Sequence, residues 1–224
     1  MRRAMMLSVL AAGMLGGGCF PRPQNAISQA AAAGDVEGVE RLITDGVDPN
    51  LGADSRAFTP MIWAARAGQV AVIRTLFRHG ASLDAPGGSN GWSPLQHALH
   101  KQQTAAALEL IDLGADLASR SGQRALAMAA GYGNAEVTER LLDRGVDPHV
   151  NLGNGPSLLA LAAAGAYDID YHWRGCEPHT ETVRALMTRA PDLALGSNSW
   201  DGAARAYVSK HGCSEMLSLL KNSN

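Results

Sequence analysis

The sequence lacks an excess of charge of either sign. Its 19 lysine and arginine side chains nearly balance 21 aspartate and glutamate side chains, which gives a formal net charge of −2 at pH 7. A protein that binds nucleic acid needs a clustered basic surface to neutralise the phosphate backbone. The composition does not provide such a surface, so we expect a partner other than nucleic acid.

The sequence also has little that indicates catalysis. It contains no H-E-x-x-H metal-binding motif and no glycine-rich phosphate loop that follows a strand. Its seven histidines are scattered, and we expect His97 to pack against its neighbours. Asp168 and Asp170 are candidate paired carboxylates, but no cleft is predicted around them, so we interpret them as surface acids. We therefore predict a protein that is not an enzyme, with no catalytic residue, cofactor or metal.

The N-terminus carries a mostly apolar run. Arg2 and Arg3 precede an apolar run that is too short to span a bilayer, so residues 1–18 are predicted to be a signal peptide. The run ends in Gly-Gly-Gly-Cys19, which resembles a bacterial lipobox. The resemblance implies a lipid on Cys19, a tether over residues 19–24, and a location at the periplasmic side of the outer membrane. Cleavage by the ordinary signal peptidase would instead leave a soluble periplasmic protein.

The rest of the sequence repeats one helical pattern about every 33 residues. In its clearest copy, Thr59 and Pro60 predict the start of a helix, and Gly68 and Gly80 predict the ends of two successive helices. Gln102 takes the place of the first of these glycines in the next copy. The glycine that ends the second helix recurs at Gly46, Gly80, Gly114 and Gly145. Two such short helices cannot bury their apolar stripes alone, so the copies are expected to stack.

This pattern resembles the ankyrin repeat, whose consensus reads T-P-L-H-x-A-A-x-x-G and then V-x-x-L-L-x-x-G-A-D. The resemblance implies an all-α ankyrin-repeat solenoid of five to six helix-turn-helix repeats with short β-hairpin tips over residues 25–221, followed by a tail at 222–224. The fifth repeat departs from the pattern because residues 166–179 form an insertion before a second helix predicted at Thr182–Arg189. A degenerate sixth repeat is expected to cap the stack.

Cys176 and Cys213 fall in the equivalent turns of the fifth and sixth repeats. Consecutive ankyrin repeats place these turns side by side, and in an oxidising periplasm this favours a disulfide. Two alternatives remain open from the sequence. His172, Cys176 and His179 are close enough in sequence to bind one metal ion, and both cysteines could instead be unpaired thiols.

Ankyrin stacks bind other proteins in a concave groove, and the resemblance places a set of exposed positions there. These are Arg56, Phe58, Arg66, Asn90, Trp92, His100, Lys101, Arg120 and Tyr132. Aromatic rings among arginines are typical of an interface hot spot. The rings of Phe58 and Trp92 would alternatively cover the adjacent repeat, whereas Trp63 is predicted to be core.

The insertion is a second candidate surface, because a long aromatic loop often carries function. Its candidate contacts are Tyr171, Trp173 and Arg174, although the loop would alternatively fold back over the fifth and sixth repeats.

Small ankyrin proteins with export signals resemble immunity proteins that protect a bacterium from secreted toxins. The resemblance therefore implies a non-catalytic protein-binding module of the periplasm whose partner is a cell-envelope hydrolase toxin. One alternative is an accessory protein that supports a resident periplasmic enzyme such as a catalase. Another is a structural tether within the envelope.

Overall fold

The fold consists of short helices joined by tight turns. The computed structural model describes residues 23, 25–52, 58–118, 120–150, 155–165, 175–196 and 199–221. These residues form twelve helices: α1 (Ala26–Ala33), α2 (Val36–Thr44), α3 (Pro60–Ala67), α4 (Val70–Arg78), α5 (Pro94–His100), α6 (Thr104–Asp112), α7 (Arg120–Gly131), α8 (Ala135–Asp143), α9 (Leu158–Ala164), α10 (Cys176–Arg189), α11 (Ser199–Lys210) and α12 (Ser214–Lys221). They make six helix-turn-helix pairs, in which we call the odd-numbered members first helices and the even-numbered members second helices. None of the described helices is both long and apolar enough to cross a membrane.

Side-chain caps determine where several first helices begin. The backbone N–H of Ile62 donates to the Thr59 hydroxyl at 3.3 Å, and Pro60 occupies the first turn, where its missing N–H is not needed. Ser93 and Ser157 cap α5 and α9 in the same way. The predicted helix start at Thr59-Pro60 is confirmed.

Residues with a positive φ end the first helices. Gly68 ends α3 with a φ of 75°, which glycine tolerates because it has no Cβ atom. In the third pair the same place is taken by Gln102, whose φ of 57° is positive. It is the one non-glycine residue with a positive φ in the described part of the chain. The predicted position of Gln102 is confirmed, although an L side chain is strained in this conformation.

The pairs stack so that the first helices form one layer and the second helices form another. Each first helix contacts the first helix of the next pair, and the second helices do the same. The largest fully buried side chains are apolar and come from both layers: Ile27, Met61, Ile62, Ile73, Leu76, Leu95, Leu110, Ile111, Leu126, Leu141, Leu159 and Leu186. Because each pair buries its apolar stripe against the next pair, the core continues along the stack.

The turns that connect the pairs are held by side chains rather than by strands. The Asn50 amide donates to the Gly80 carbonyl at 3.2 Å, and its oxygen accepts the N–H of Ser82 at 2.8 Å. Among the described residues the strand-like pairing is a single antiparallel bridge between Gly87 and Trp92. This bridge agrees with the predicted short β-hairpin tips in the turn before α5, whereas the Asn50 side chain bonds backbone groups of the next turn. Residues 53–57 and 151–154 lie outside the described residues.

The second helix of the fifth pair begins earlier than the sequence predicted. Helix α10 begins at Cys176, six residues before Thr182, so the last four residues of the predicted insertion are helical. The extra turns are stable because their polar residues are buried with partners. His179 is fully buried with its Nδ1 atom 2.7 Å from the Ala162 carbonyl oxygen, and the Thr182 hydroxyl donates to the Pro178 carbonyl. Residues 166–174 of the predicted insertion lie outside the described residues.

A disulfide joins Cys176 at the start of α10 to Cys213, which directly precedes α12. The two Cα atoms are 5.5 Å apart although 37 residues separate them in sequence. The disulfide prediction is therefore confirmed. The alternative prediction of a metal site is wrong, because the Cys176 sulfur is bonded to Cys213 and His179 is buried against Ala162.

Candidate partner-binding surface

An aromatic cluster spans the second and third helix pairs. We define it as Phe58, Trp63, Trp92, His97 and His100. The ring centroids of Phe58 lie 5.2 Å from Trp63 and 4.8 Å from His97. Those of Trp92 lie 5.6 Å from His97 and 5.0 Å from His100, and all four contacts are edge-to-face. Aromatic pairs attract one another in this geometry, so the rings hold one another in place across two repeats.

His97 lies at the centre of the aromatic cluster and is only 4% exposed. Its Nδ1 atom is 3.1 Å from Nη1 of Arg66, and its Nε2 atom is 3.3 Å from the Gly87 carbonyl oxygen. Arginine can only donate and a carbonyl can only accept, so the ring carries its proton on Nε2. His97 thereby links α3, α5 and the turn that precedes α5.

The surroundings of His97 keep its ring neutral at physiological pH. Burial disfavours the charged imidazolium, and the positive charge of Arg66 adds to this effect. The pKa of His97 falls from 6.5 to about 4, although the hydrogen bond to Gly87 opposes the change. His100 and Lys101 make smaller contributions in the same direction as Arg66. A neutral His97 can therefore accept a hydrogen bond from Arg66.

Arg66 is held against the aromatic rings. The central carbon of its guanidinium group is 5.0 Å from the Phe58 ring centroid and 5.9 Å from that of Trp63, within the range of a cation–π interaction. Burial lowers the pKa of Arg66. In the part of the chain that the structure describes, no carboxylate lies within salt-bridge distance of it. His97 accepts from one of its five N–H groups, so Arg66 is a partly desolvated cation with no counter-ion among the described residues.

The residues predicted to line the groove differ in exposure. Five of them are half-buried, namely Phe58, Arg66, Trp92, His100 and Lys101, whereas Asn90 and Arg120 are exposed. Tyr132 is buried with only 7% of its surface exposed, and its hydroxyl lies 3.2 Å from Nδ1 of His100. Tyr132 is therefore buried rather than exposed as predicted, and its role in binding stays a prediction.

The ring contacts of Phe58 and Trp92 bear on one of the two roles that the sequence left open, and binding of a partner by these rings stays a prediction. Phe58 covers the next repeat through its contact with His97, whereas Trp92 contacts His97 and His100 of its own repeat. Each ring remains half-buried rather than core. The fit beneath Phe58 is close, because a Cβ atom added to Gly88 would lie 2.8 Å from the ring. The other predicted contacts, Arg56, Tyr171, Trp173 and Arg174, lie outside the described residues, as does the predicted lipidation site Cys19.

Sequence reasoning missed the link between Arg66 and His97. It predicted that His97 is packed and that Trp63 is core, and both predictions are confirmed by their burial. It did not connect His97 with the arginine beneath the aromatic rings. The spacing carried a signal, because the two residues are 31 positions apart. A separation close to one repeat places side chains next to each other on successive first helices.

One short stretch matches the spacing of a hydrolase nucleophile motif. Residues 87–91 read G-G-S-N-G, which fits G-x-S-x-G with Ser89 at the centre. That motif works where a strand turns sharply into a helix. Here the stretch is a turn closed by the bridge between Gly87 and Trp92. Ser89 is exposed, and within the described ranges its hydroxyl has no hydrogen bond to a base, so the match is one of spacing alone.

Comparisons with known proteins agree with this geometry. The family model for ankyrin repeats in three copies matches residues 27–121, a range that includes the whole aromatic cluster. The solved structure of the human ASB11 ankyrin repeat domain is similar to this chain with a TM-score of 0.69 and 20% sequence identity, covering 90% of this chain and 84% of that one. No curated protein matches the sequence. At this identity the structural likeness concerns the fold, and the predicted all-α architecture is confirmed: the chain contains ankyrin repeats and folds as an ankyrin-repeat solenoid.

Proposed function

We propose that this protein is a non-catalytic immunity protein of the bacterial periplasm, which binds and neutralises a secreted cell-envelope hydrolase toxin. Ankyrin repeat domains are generally scaffolds that bind other proteins. The aromatic cluster with Arg66 is the surface that would contact the toxin.

The observation that carries the proposal is that this surface is already ordered without a partner. Its rings are fixed by edge-to-face contacts and its histidine by two hydrogen bonds. Binding therefore costs little side-chain entropy, which favours affinity. Aromatic residues and arginine are also the types most often found at interface hot spots. A rigid surface of this kind suits the blocking of a substrate cleft.

Two features support the periplasmic location. The apolar N-terminal run that ends at Cys19 has the pattern of an export signal with a lipidated cysteine. The disulfide between Cys176 and Cys213 is of a kind that persists in an oxidising compartment. The proposal therefore includes a lipid anchor on Cys19 at the periplasmic face of the outer membrane.

The test is to capture partners from the periplasm with the exported protein and to titrate the activity of whatever is captured. We expect a hydrolase whose activity falls to zero at an equimolar ratio. Changing Arg66→Ala and Trp92→Ala together should weaken binding by about 100-fold or more, because two anchors are removed. Arg140→Ala on the second-helix layer is the matched control and should bind as the wild type does.

Other outcomes separate the alternatives. Capture of a resident enzyme whose activity persists or rises, such as a catalase, would favour an accessory role. Equal loss of binding and of melting temperature in the double variant would show that the two residues are structural. Deletion of residues 168–174 with loss of binding would move the interface from the aromatic cluster to the predicted insertion.

A further inference from the structure

Charge is divided between the two helix layers. The basic residues of the first helices are Arg66, Arg120, Arg124, Arg205 and Lys210, and the one acidic residue in these helices is Asp201. Acidic residues instead lie on every second helix except α4. The formal net charge of −2 hides this division. The layer that carries the aromatic cluster is therefore the positive one.

Asp201 does not offset the positive charge at the surface. It is fully buried, and its carboxylate accepts the backbone N–H groups of Ser157 and Gly196. These bonds tie the start of α11 to the turns before it and to α9. Its role is structural, and within the described first helices the exposed formal charge is positive only.

The arginines of the two layers also differ in their partners. On the second helices, arginines pair with carboxylates of the neighbouring pair: Arg78 with Glu40, Arg74 with Glu109, and Arg140 with Asp112. Similar pairs join α10 to α8 and to α12. By contrast, no carboxylate among the described residues lies within salt-bridge distance of the arginines of the first helices. These second-layer arginines therefore have carboxylate partners, whereas the described first-layer arginines have none within salt-bridge distance.

We infer that the first-helix layer binds an acidic segment of the partner protein, with one carboxylate on Arg66 inside the aromatic cluster. This inference rests on the proposed function and adds the chemistry of the partner to it. The cation over Phe58 is partly removed from water, and its fixed acceptor within the described ranges is the neutral His97. A partner carboxylate would supply a counter-ion and a charge-assisted hydrogen bond. The flanking rings of Phe58 and Trp92 favour an apolar or aromatic residue beside that carboxylate.

An acidic protein segment fits this layer better than a nucleic acid does. Arg66, Arg120 and Arg205 lie on α3, α7 and α11, so the charges are spread along the stack rather than gathered into a phosphate track. The rings of the aromatic cluster contact each other edge to face, whereas binding of single strands relies on open ring faces on which bases stack. The chain as a whole is also slightly acidic.

The test is to pan a random peptide library displayed on phage against the full chain. We expect the selected peptides to be enriched in Asp or Glu next to an aromatic or aliphatic residue. Arg66→Gln should raise the Kd of a selected peptide by about 30-fold or more, because it removes one partner of a desolvated charge pair. Replacing the peptide carboxylates by amides should have a similar effect. Arg74→Gln, an exposed arginine of the second layer, is the matched control and should leave the Kd unchanged.

A second variant shows whether weaker binding of Arg66→Gln comes from the lost charge or from misfolding. The double variant Arg120→Glu and Arg124→Glu changes exposed side chains only. It should raise the Kd of the same peptide while the melting temperature stays constant. Peptides without acidic residues, an unchanged Kd in both variants, or a library that yields no binder would overturn the inference. So would displacement of the peptide by a single-stranded oligonucleotide. A captured protein partner that binds Arg66→Gln as tightly as the wild type would refute the inference and leave the proposed function intact.

Discussion

At the scale of single residues, two side chains carry local costs. Gln102 adopts a φ of 57° where the other first helices of the clearest repeats end in glycine, and its Oε1 atom is buried without a hydrogen-bond partner among the described residues. Both features destabilise the folded state. His97 is the second case, because burial lowers the pKa of its imidazole to about 4 and protonating the ring therefore destabilises the folded state.

Gln102→Gly should raise the free energy of unfolding by about 1 kcal/mol, because glycine adopts the left-handed conformation without strain and the unpartnered amide is removed. Urea denaturation is the measurement. The reverse control is Gly80→Ala, where φ is 82° and a Cβ atom would meet nothing within 4 Å. Its free energy of unfolding should fall by about 1 kcal/mol, because alanine is strained at this positive φ. A Gln102→Gly variant less stable than the wild type would show that the amide contributes more than its strain costs.

His97 should make the fold sensitive to mild acid. Its pKa is lower in the folded state than in the unfolded state, so the unfolded chain binds more protons between these two values. Stability is therefore full above about pH 6.5 and is lost as the pH falls toward 4. The expected loss between pH 7 and pH 4.5 is about 2 kcal/mol from this residue.

The check on His97 is urea denaturation of the wild type and of His97→Gln at both pH values. His179, whose pKa burial also lowers, remains in the variant and contributes in the same direction. The variant should therefore show a smaller loss than the wild type rather than none. An identical loss in both proteins would show that His97 is not the group that titrates.

At the scale of helices, local rules in the sequence predicted most of the fold and failed at α10. The Thr59-Pro60 start and the Gly68 end of α3 depend on neighbouring residues alone, so they could be predicted from the local sequence. The first turns of α10 depend on distant partners, such as the Ala162 carbonyl that contacts His179. In the sequence, His179 looks like a loop residue. The candidate site shows the same limit. Its aromatic residues were predicted from the sequence, but the hydrogen bond from Arg66 to His97 was not, because it joins two different repeats.

The disulfide defines a prediction at this scale. Replacing Cys176 and Cys213 by serine should destabilise the sixth helix pair, α11 and α12. In the chain-entropy view, a cross-link between residues 37 positions apart contributes about 3–4 kcal/mol to stability. Each repeat contacts only its neighbours, so the loss should be local. Hydrogen exchange should accelerate in α11 and α12 and stay unchanged in α3 to α6. Uniform acceleration along the chain would show that the stack unfolds as one unit instead.

At the scale of the whole molecule, the separation of charge between the layers has a consequence for how a partner arrives. A positive first layer and a negative second layer give the solenoid an electric dipole moment across its short axis. An approaching acidic protein would experience a torque that turns the first layer toward it before contact. Ionic strength should then slow association steeply, since the Debye length at 0.15 M salt is only about 8 Å. Dissociation, which depends on short-range contacts with the rings and Arg66, should change far less. The charge of the two layers would thus determine the association rate of a partner, and the aromatic cluster would determine its dissociation rate.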